Sequence, residues 1–150
     1  MKLVINSCYG GFHLSPKAIK RYLELKGNNA YFYKRTKYEY RDGINEFKRI
    51  DDIDTIKDNL FIYCTTIDCG KVTNTYPTDP FKDYPIKRND KYLIQVVEEL
   101  GEEANTTFSR LTIVEIENGR WYKIDEYDGY ESIEYRDIND GWELAEDNEV

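Results

Sequence analysis

Apolar residues follow two different spacings in the first third of the chain. Residues 2–6 contain a short continuous apolar run, Leu3 to Ile5, and are soon followed by paired glycines, which is typical of a buried strand. From residue 16 onward apolar side chains recur every three or four positions, as in an amphipathic helix. Residues 30–35 are rich in aromatic side chains and predict a second strand. This order predicts that the two strands pair in parallel through a right-handed crossover.

The first helix has the clearest boundaries in the sequence. Ser15 can accept hydrogen bonds from the free N–H groups at a helix start, and Pro16 suits the first helical position. Gly27 is a typical stop signal. We therefore predict a helix over 16–26.

The remaining pattern predicts one domain over 1–150, of α/β or α+β class, with a mixed sheet. Its further elements are a strand over 60–65, a mostly irregular stretch over 70–90, a helix over about 90–105 capped by Asp90, and a hairpin over about 111–125 turning at Asn118–Gly119. The acidic segment over about 127–150 is expected to be ordered only in part, with fraying beyond about Trp142.

Charge is distributed unevenly along the 150 residues. The formal net charge is −8, and residues 111–150 hold 13 acidic and 3 basic side chains. Residues 15–49 hold ten basic and four acidic side chains, so this part of the chain could attract an anion. Because the whole chain would repel DNA, direct nucleic-acid binding is not expected. A simpler interpretation is that both stretches are solvated faces.

Cysteine and histidine content argues against a structural metal. The three cysteines, Cys8, Cys64 and Cys69, have no zinc-like spacing, and His13 is the only histidine. Free thiols in a reducing cytosol fit best, and we expect no cofactor. No run approaches the roughly 18 apolar residues of a membrane helix, so no membrane partner is expected.

The loop between the first strand and the first helix is the main candidate site. Ligands of open α/β sheets bind at this place, where a helix N-terminus favours anions and glycines let a ligand approach the backbone. Lys17 and Arg21 would add positive charge. The alternative is a structural turn with Tyr9 and Phe12 packed into the core.

An enzymatic use of the same loop is the competing hypothesis. Cys8 could act as a nucleophile with His13 as its base, although a buried and unreactive thiol is the simpler interpretation. No other pair of catalytic groups can be identified, so the enzyme question stays open, with a non-catalytic role favoured.

Two blocks of sequence resemble a group of small, largely uncharacterised proteins of bacteriophages and some large DNA viruses. They are residues 2–18, with the motif Ile-Asn-Ser-Cys-Tyr-Gly-Gly-Phe-His-Leu-Ser, and residues 88–105 leading into 111–117 and 124–129. The resemblance implies a viral accessory protein acting in the host cytoplasm.

The leading hypothesis is a non-enzymatic counter-defence protein that sequesters a small, nucleotide-like anion of the host or blocks a host defence protein. The alternatives are a nucleotide-processing enzyme using the Cys8–Gly11 loop and an acidic mimic of nucleic acid; the oligomeric state is left open, a homo-oligomer included. The candidate ligand-binding residues are Asn6, Cys8, Tyr9, Gly10, Gly11, Phe12, Ser15, Lys17, Arg21, Arg88 and Asp90.

Overall fold

The computed structural model of the chain describes residues 1–56, 58–136 and 143–148. The helices are α1 (Pro16–Leu25) and α2 (Lys91–Leu100), the latter followed by a 3₁₀ turn over Gly101–Ala104. The strands are β1 (Lys2–Asn6), β2 (Tyr31–Glu39), β3 (Ile44–Ile50), β4 (Ile62–Thr65), β5 (Val72–Thr73), β6 (Leu111–Glu115), β7 (Trp121–Tyr127), β8 (Tyr130–Arg136) and β9 (Glu143–Leu144). The class is α+β, one of the two classes that the sequence predicts.

Both helices begin where the sequence places them. Ser15 Oγ accepts a hydrogen bond from Ala18 N at 3.1 Å. Asp90 Oδ1 accepts hydrogen bonds from Tyr92 N at 2.8 Å and Leu93 N at 3.0 Å. The predicted helix starts are confirmed because each depends only on a local side-chain cap.

The predicted parallel pairing of the first two strands is wrong. The described strands form three antiparallel sheets, in the orders β1-β6, β4-β2-β3-β5 and β8-β7-β9. β1 pairs with β6, from Lys2 opposite Glu115 to Asn6 opposite Leu111. β2 pairs instead with β3, which follows after a short turn, because closing a short loop costs little conformational entropy.

The predicted hairpin over 111–125 is also wrong. β6 and β7 lie in different sheets, and β7 turns back into β8 at Asp128–Gly129. Both of these turn residues have positive φ, 50° and 82°, as a type I′ turn requires. At Asn118–Gly119 only the glycine has a positive φ, and its N–H donates a hydrogen bond to Ala145 O at 2.8 Å.

β1 separates two clusters of buried side chains. Val4 belongs to the larger cluster, which it forms with both helices and the inner face of the four-stranded sheet. Leu3 belongs to the smaller one, with Ile116, Tyr122 and Ala145. Neighbouring side chains of a strand point to opposite faces, so one short strand serves both clusters. Trp142, where the sequence predicts that fraying begins, lies outside the described residues.

Candidate functional site

Asn6, at the end of β1, closes the loop that follows it. Its side chain is fully buried. The amide Nδ2 donates to Cys8 O at 3.0 Å and to Gly129 O at 2.8 Å, and Oδ1 accepts from Arg110 N at 2.7 Å. These bonds join the loop to β6 and to the β7–β8 turn, so Asn6 is fully used within the protein.

The two glycines of the motif are in backbone contact with other parts of the chain. Gly10 has φ of 137°, and a Cβ atom there would collide with the carbonyl oxygen of Phe108. Gly10 N donates to Asp128 O at 3.2 Å, and Gly11 N donates to Phe108 O at 3.3 Å. Gly129 is equally close to this loop, since a Cβ atom on it would collide with the Gly10 carbonyl. Close backbone packing accounts for Gly10 and Gly129.

The two aromatic residues of the loop have different surroundings. Tyr9 is 66% exposed and its ring lies 5.4 Å from that of Tyr130, so it does not pack into the core. Phe12 is half-buried and lies beneath the Arg88 guanidinium, 3.6 Å from its central carbon. The structural alternative therefore fits Phe12 and does not fit Tyr9.

Arg88 is brought to the loop but is already paired. Its guanidinium donates to both carboxylate oxygens of Glu131, at 2.6 and 2.8 Å, and to Val4 O at 3.3 Å. Glu131 is buried and also accepts from Asn6 N at 2.7 Å. A ligand anion would have to displace a bidentate carboxylate to reach this arginine.

The positive groups of α1 are also neutralised. The Lys17 ammonium lies 3.0 Å from a Glu103 carboxylate oxygen, and that hydrogen bond raises the lysine pKa. Arg21 binds both oxygens of Glu99, at 2.8 and 3.2 Å. Hydrogen bonds from Arg21 and then Gln95 lower the pKa of Glu99 to about 2. The cations expected to attract an anion thus face carboxylates of α2 and its 3₁₀ turn.

Ser15 and Asp90 are occupied as helix caps. Ser15 Oγ also donates to Glu103 O at 2.6 Å. This bond holds the 3₁₀ turn against the start of α1. Asp90 Oδ2 accepts from the Tyr22 hydroxyl at 3.2 Å. The predicted site residues therefore lie in three places: the β1 loop with Arg88, the start of α1, and the start of α2.

Cys8 has no base beside it among the described residues. Its sulfur contacts Asn6 Oδ1 and Phe108 O, each at 3.5 Å. His13 is turned towards Asp83, with 3.4 Å between Nδ1 and Oδ2. A catalytic thiol needs a base within hydrogen-bond reach or one water away, so this geometry does not favour the enzymatic hypothesis.

A cleft of about 420 Å³ lies between the segment before α2 and β7. It is lined by Leu3, Lys87, Arg88, Asn89, Tyr122 and Glu143, among others. The Tyr122 hydroxyl donates to Glu143 at 3.0 Å, and burial raises the pKa of Tyr122 to about 12. Arg88 and Glu143, which line this cleft, thus both have partners within the protein.

Sequence reasoning missed a second cluster, on the outer face of the four-stranded sheet. We call it the basic aromatic face and define it by Arg35, Tyr38, Phe61, Tyr63 and Tyr76. A bulge between Arg35 and Lys37 keeps Arg35 and Tyr38 on the same face of β2. The run of three aromatic residues followed by two basic ones over 31–35, with Tyr38 shortly after, is the signal that could have found it.

Arg35 lies at the centre of this face. Its guanidinium carbon is 4.6 Å from the centre of the Tyr38 ring and 4.4 Å from that of Phe61. Nη1 donates to the Tyr76 hydroxyl at 3.3 Å. No carboxylate of the described residues forms an ion pair with Arg35, in contrast to Arg21 and Arg88.

The floor of the face is closely packed. Phe47 is fully buried, and its ring lies 5.2 Å from that of Tyr63 and 5.0 Å from that of Tyr76. Burial, followed by the neighbouring Tyr76, raises the pKa of Tyr63. Tyr33, also fully buried, accepts a hydrogen bond from Cys69 N at 2.9 Å. These contacts hold the segment around 66–76 against the sheet.

No protein family, curated protein or solved structure was found to match this chain. The resemblance to viral proteins therefore stays a prediction. Within the described ranges no helix is long and apolar enough to cross a membrane. The same ranges contain no group of three or more His, Cys, Asp or Glu side chains placed to hold a metal ion.

Proposed function

We propose that this protein is a non-enzymatic binding protein for nucleotide-like anions, and that it binds them on the basic aromatic face. The observation that supports this most directly is the Arg35 guanidinium, held between two rings without a carboxylate partner in the described part of the chain. We propose, as the sequence resemblance implies, that the protein is a viral accessory protein that acts in the host cytoplasm.

A nucleotide combines the two chemical groups that this face can recognise. The Arg35 guanidinium would hold a phosphate, because its planar donors match phosphate oxygens and their hydrogen bonds are charge-assisted. An aromatic ring beside it would stack on the base. Tyr38 and Phe61 already fix the guanidinium, so less side-chain entropy is lost on binding.

The glycine loop is a weaker candidate for the same role. The cations nearest to it, Arg88, Lys17 and Arg21, each have a carboxylate partner within 3.0 Å. An anion binding there would have to break an existing ion pair, whereas Arg35 needs no such exchange.

Calorimetric titration against adenosine and guanosine mono-, tri- and cyclic nucleotides tests the proposal. We expect Arg35→Gln to weaken binding about 10-fold or more, since a hydrogen bond to a charged group contributes about 1.5–3 kcal/mol. Lys17→Gln is the matched control and should leave the affinity unchanged. Loss of binding in Lys17→Gln but not in Arg35→Gln would assign the nucleotide-binding site to the glycine loop. No binding of any nucleotide at millimolar concentration would overturn the proposal.

A further inference from the structure

Three aromatic side chains of the basic aromatic face remain half accessible although they contact Arg35. The exposed fractions are 54% for Tyr38, 45% for Phe61 and 52% for Tyr76. Large rings of this kind gain free energy when they are covered. Several rings grouped around one guanidinium offer more stacking surface than a single base can use.

The backbone at Phe61 is in an unfavourable conformation. Its φ is 60°, a left-handed value that bulky residues rarely adopt. Arg35 N donates to Phe61 O at 3.0 Å, which ties this residue to β2 beside the guanidinium. Such conformations persist where the surrounding structure imposes them, and they cluster at functional sites.

The hairpin that carries this face concentrates positive charge. β2 and β3 together contain five basic residues and two acidic ones. Lys34 and Lys48 are directly opposite each other in the ladder, and both are exposed. Because neighbouring residues of a strand point to opposite faces, these two lysines lie on the face opposite to Arg35, and Lys48 is 3.9 Å from a Glu46 carboxylate oxygen. It is the net positive charge of the hairpin as a whole that favours an anionic partner.

We infer that the basic aromatic face binds single-stranded nucleic acid across several nucleotides, an inference that rests on the proposed nucleotide binding. Arg35 contacts a phosphate, the exposed rings stack on successive bases, and the net positive charge of the hairpin attracts the strand. The nine residues of β2 extend over about 30 Å, so the strand is long enough to follow such a ligand.

The chemistry of the face favours a single strand over a duplex. Its recognition elements are ring surfaces, and bases present their own ring surfaces only when they are unstacked. A formal charge of −8 argues against nucleic acid for the whole chain, but 13 of the 29 acidic residues lie in 111–150, and the strands described in that range, β6 to β9, belong to the other two sheets. The positive charge of the β2–β3 hairpin therefore lies on a different sheet from the acidic strands β7 and β8, and this local positive charge attracts an approaching nucleic acid.

The test is fluorescence anisotropy with fluorescein-labelled decathymidylate and decauridylate, with a ten-base-pair duplex and thymidine monophosphate as unlabelled competitors. We expect both decamers to bind at least 10-fold more tightly than the monophosphate, and the duplex to compete poorly. Tyr38→Ala should weaken decamer binding at least about fivefold through lost stacking. Tyr127→Ala, which removes a 77% exposed tyrosine of the β7–β8 hairpin, should not change the decamer affinity.

Each outcome decides the inference. Decamer affinity no greater than that of the monophosphate would overturn the single-strand inference while leaving nucleotide binding intact. Decamer binding that resists both Arg35→Gln and Tyr38→Ala would overturn both proposals for this face. Competition by a ten-residue polyglutamate as strong as that by an unlabelled decamer would make the partner an acidic peptide. Circular dichroism spectra of the variants establish that they are folded.

Discussion

The Glu131 carboxylate and the Arg88 guanidinium form a two-bond ion pair, 43 positions apart in the chain, at the junction of β1 and β8. The same carboxylate accepts the N–H of Asn6, and the same guanidinium lies over Phe12. The most distinctive motif of the sequence is therefore held by a buried internal network. Its residues order the loop, and the proposed binding face lies on another sheet.

Glu131→Ala should destabilise the protein by about 3 kcal/mol, because removing one partner leaves the other as an uncompensated, largely buried charge. Glu134→Ala, on the same strand but exposed, is the control and should change the unfolding free energy by less than about 0.5 kcal/mol. Urea denaturation measures both. Equal midpoints for the two variants would show that the ion pair contributes nothing.

Gly10→Ala should cost about 3 kcal/mol or more, whereas Gly11→Ala should stay within about 1 kcal/mol of wild type. Gly10 combines a positive φ with a collision against the Phe108 carbonyl, but a Cβ on Gly11 would meet only the movable His13 ring, at 3.4 Å. Thermal unfolding of the two variants provides the comparison. A larger loss in Gly11→Ala would contradict the backbone packing described for this loop.

Ser15→Ala should cost about 2 kcal/mol, more than the roughly 1 kcal/mol of an ordinary cap. The hydroxyl accepts from Ala18 N and also donates to Glu103 O, so its loss leaves one buried N–H and one partly buried carbonyl without this partner. The exposed Ser132→Ala is the control. A cost near 1 kcal/mol would mean that the bond to Glu103 contributes little.

Acid should weaken the link between α1 and α2. The pKa of Glu99 is lowered from 4.5 to about 2 by its hydrogen bonds from Arg21 and Gln95. Its contribution to stability is therefore complete above pH 4.5 and is lost as the pH falls from 4.5 towards 2. We expect the melting temperatures of wild type and Glu99→Gln to converge over this interval. If the two melting temperatures differed by the same amount at every pH, the ion pair would be excluded as the cause of the difference. The melting temperature of Arg21→Gln should likewise converge with that of wild type over this interval.

The three thiols should react at different rates with a disulfide reagent at pH 8. Burial raises the pKa of Cys64 to about 12, so this thiol should react only when the protein unfolds. Burial also opposes ionisation of Cys69, but hydrogen bonds from Thr78, Thr65 and Tyr33 outweigh it and lower the pKa. Cys69 should supply the fast phase, and Cys69→Ser should remove it. A fast phase that persists in this variant would assign it to another thiol.

Local signals in the sequence determined the elements that carry their own boundary residues. Ser15 and Asp90 stop the chain from entering a helix earlier, and each acts through atoms two or three residues away. The apolar run of β1 and the aromatic run of β2 likewise identified strands. Asp128–Gly129 and Asn118–Gly119 are turn pairs of the same kind, and no local feature distinguishes the one that closes a hairpin.

Only the tertiary structure decided which strands pair and which charges are neutralised. Any strand edge offers the same backbone donors and acceptors, so the partner of β1 depends on how the whole core packs. Lys17 and Arg88 were expected to face a ligand, but chain segments 86 and 43 positions away bring carboxylates to them. Arg35 looked like any other cation of a basic stretch. Tyr38 and Phe61 distinguish it, because the β2 bulge and the turn before β4 place their rings on its guanidinium.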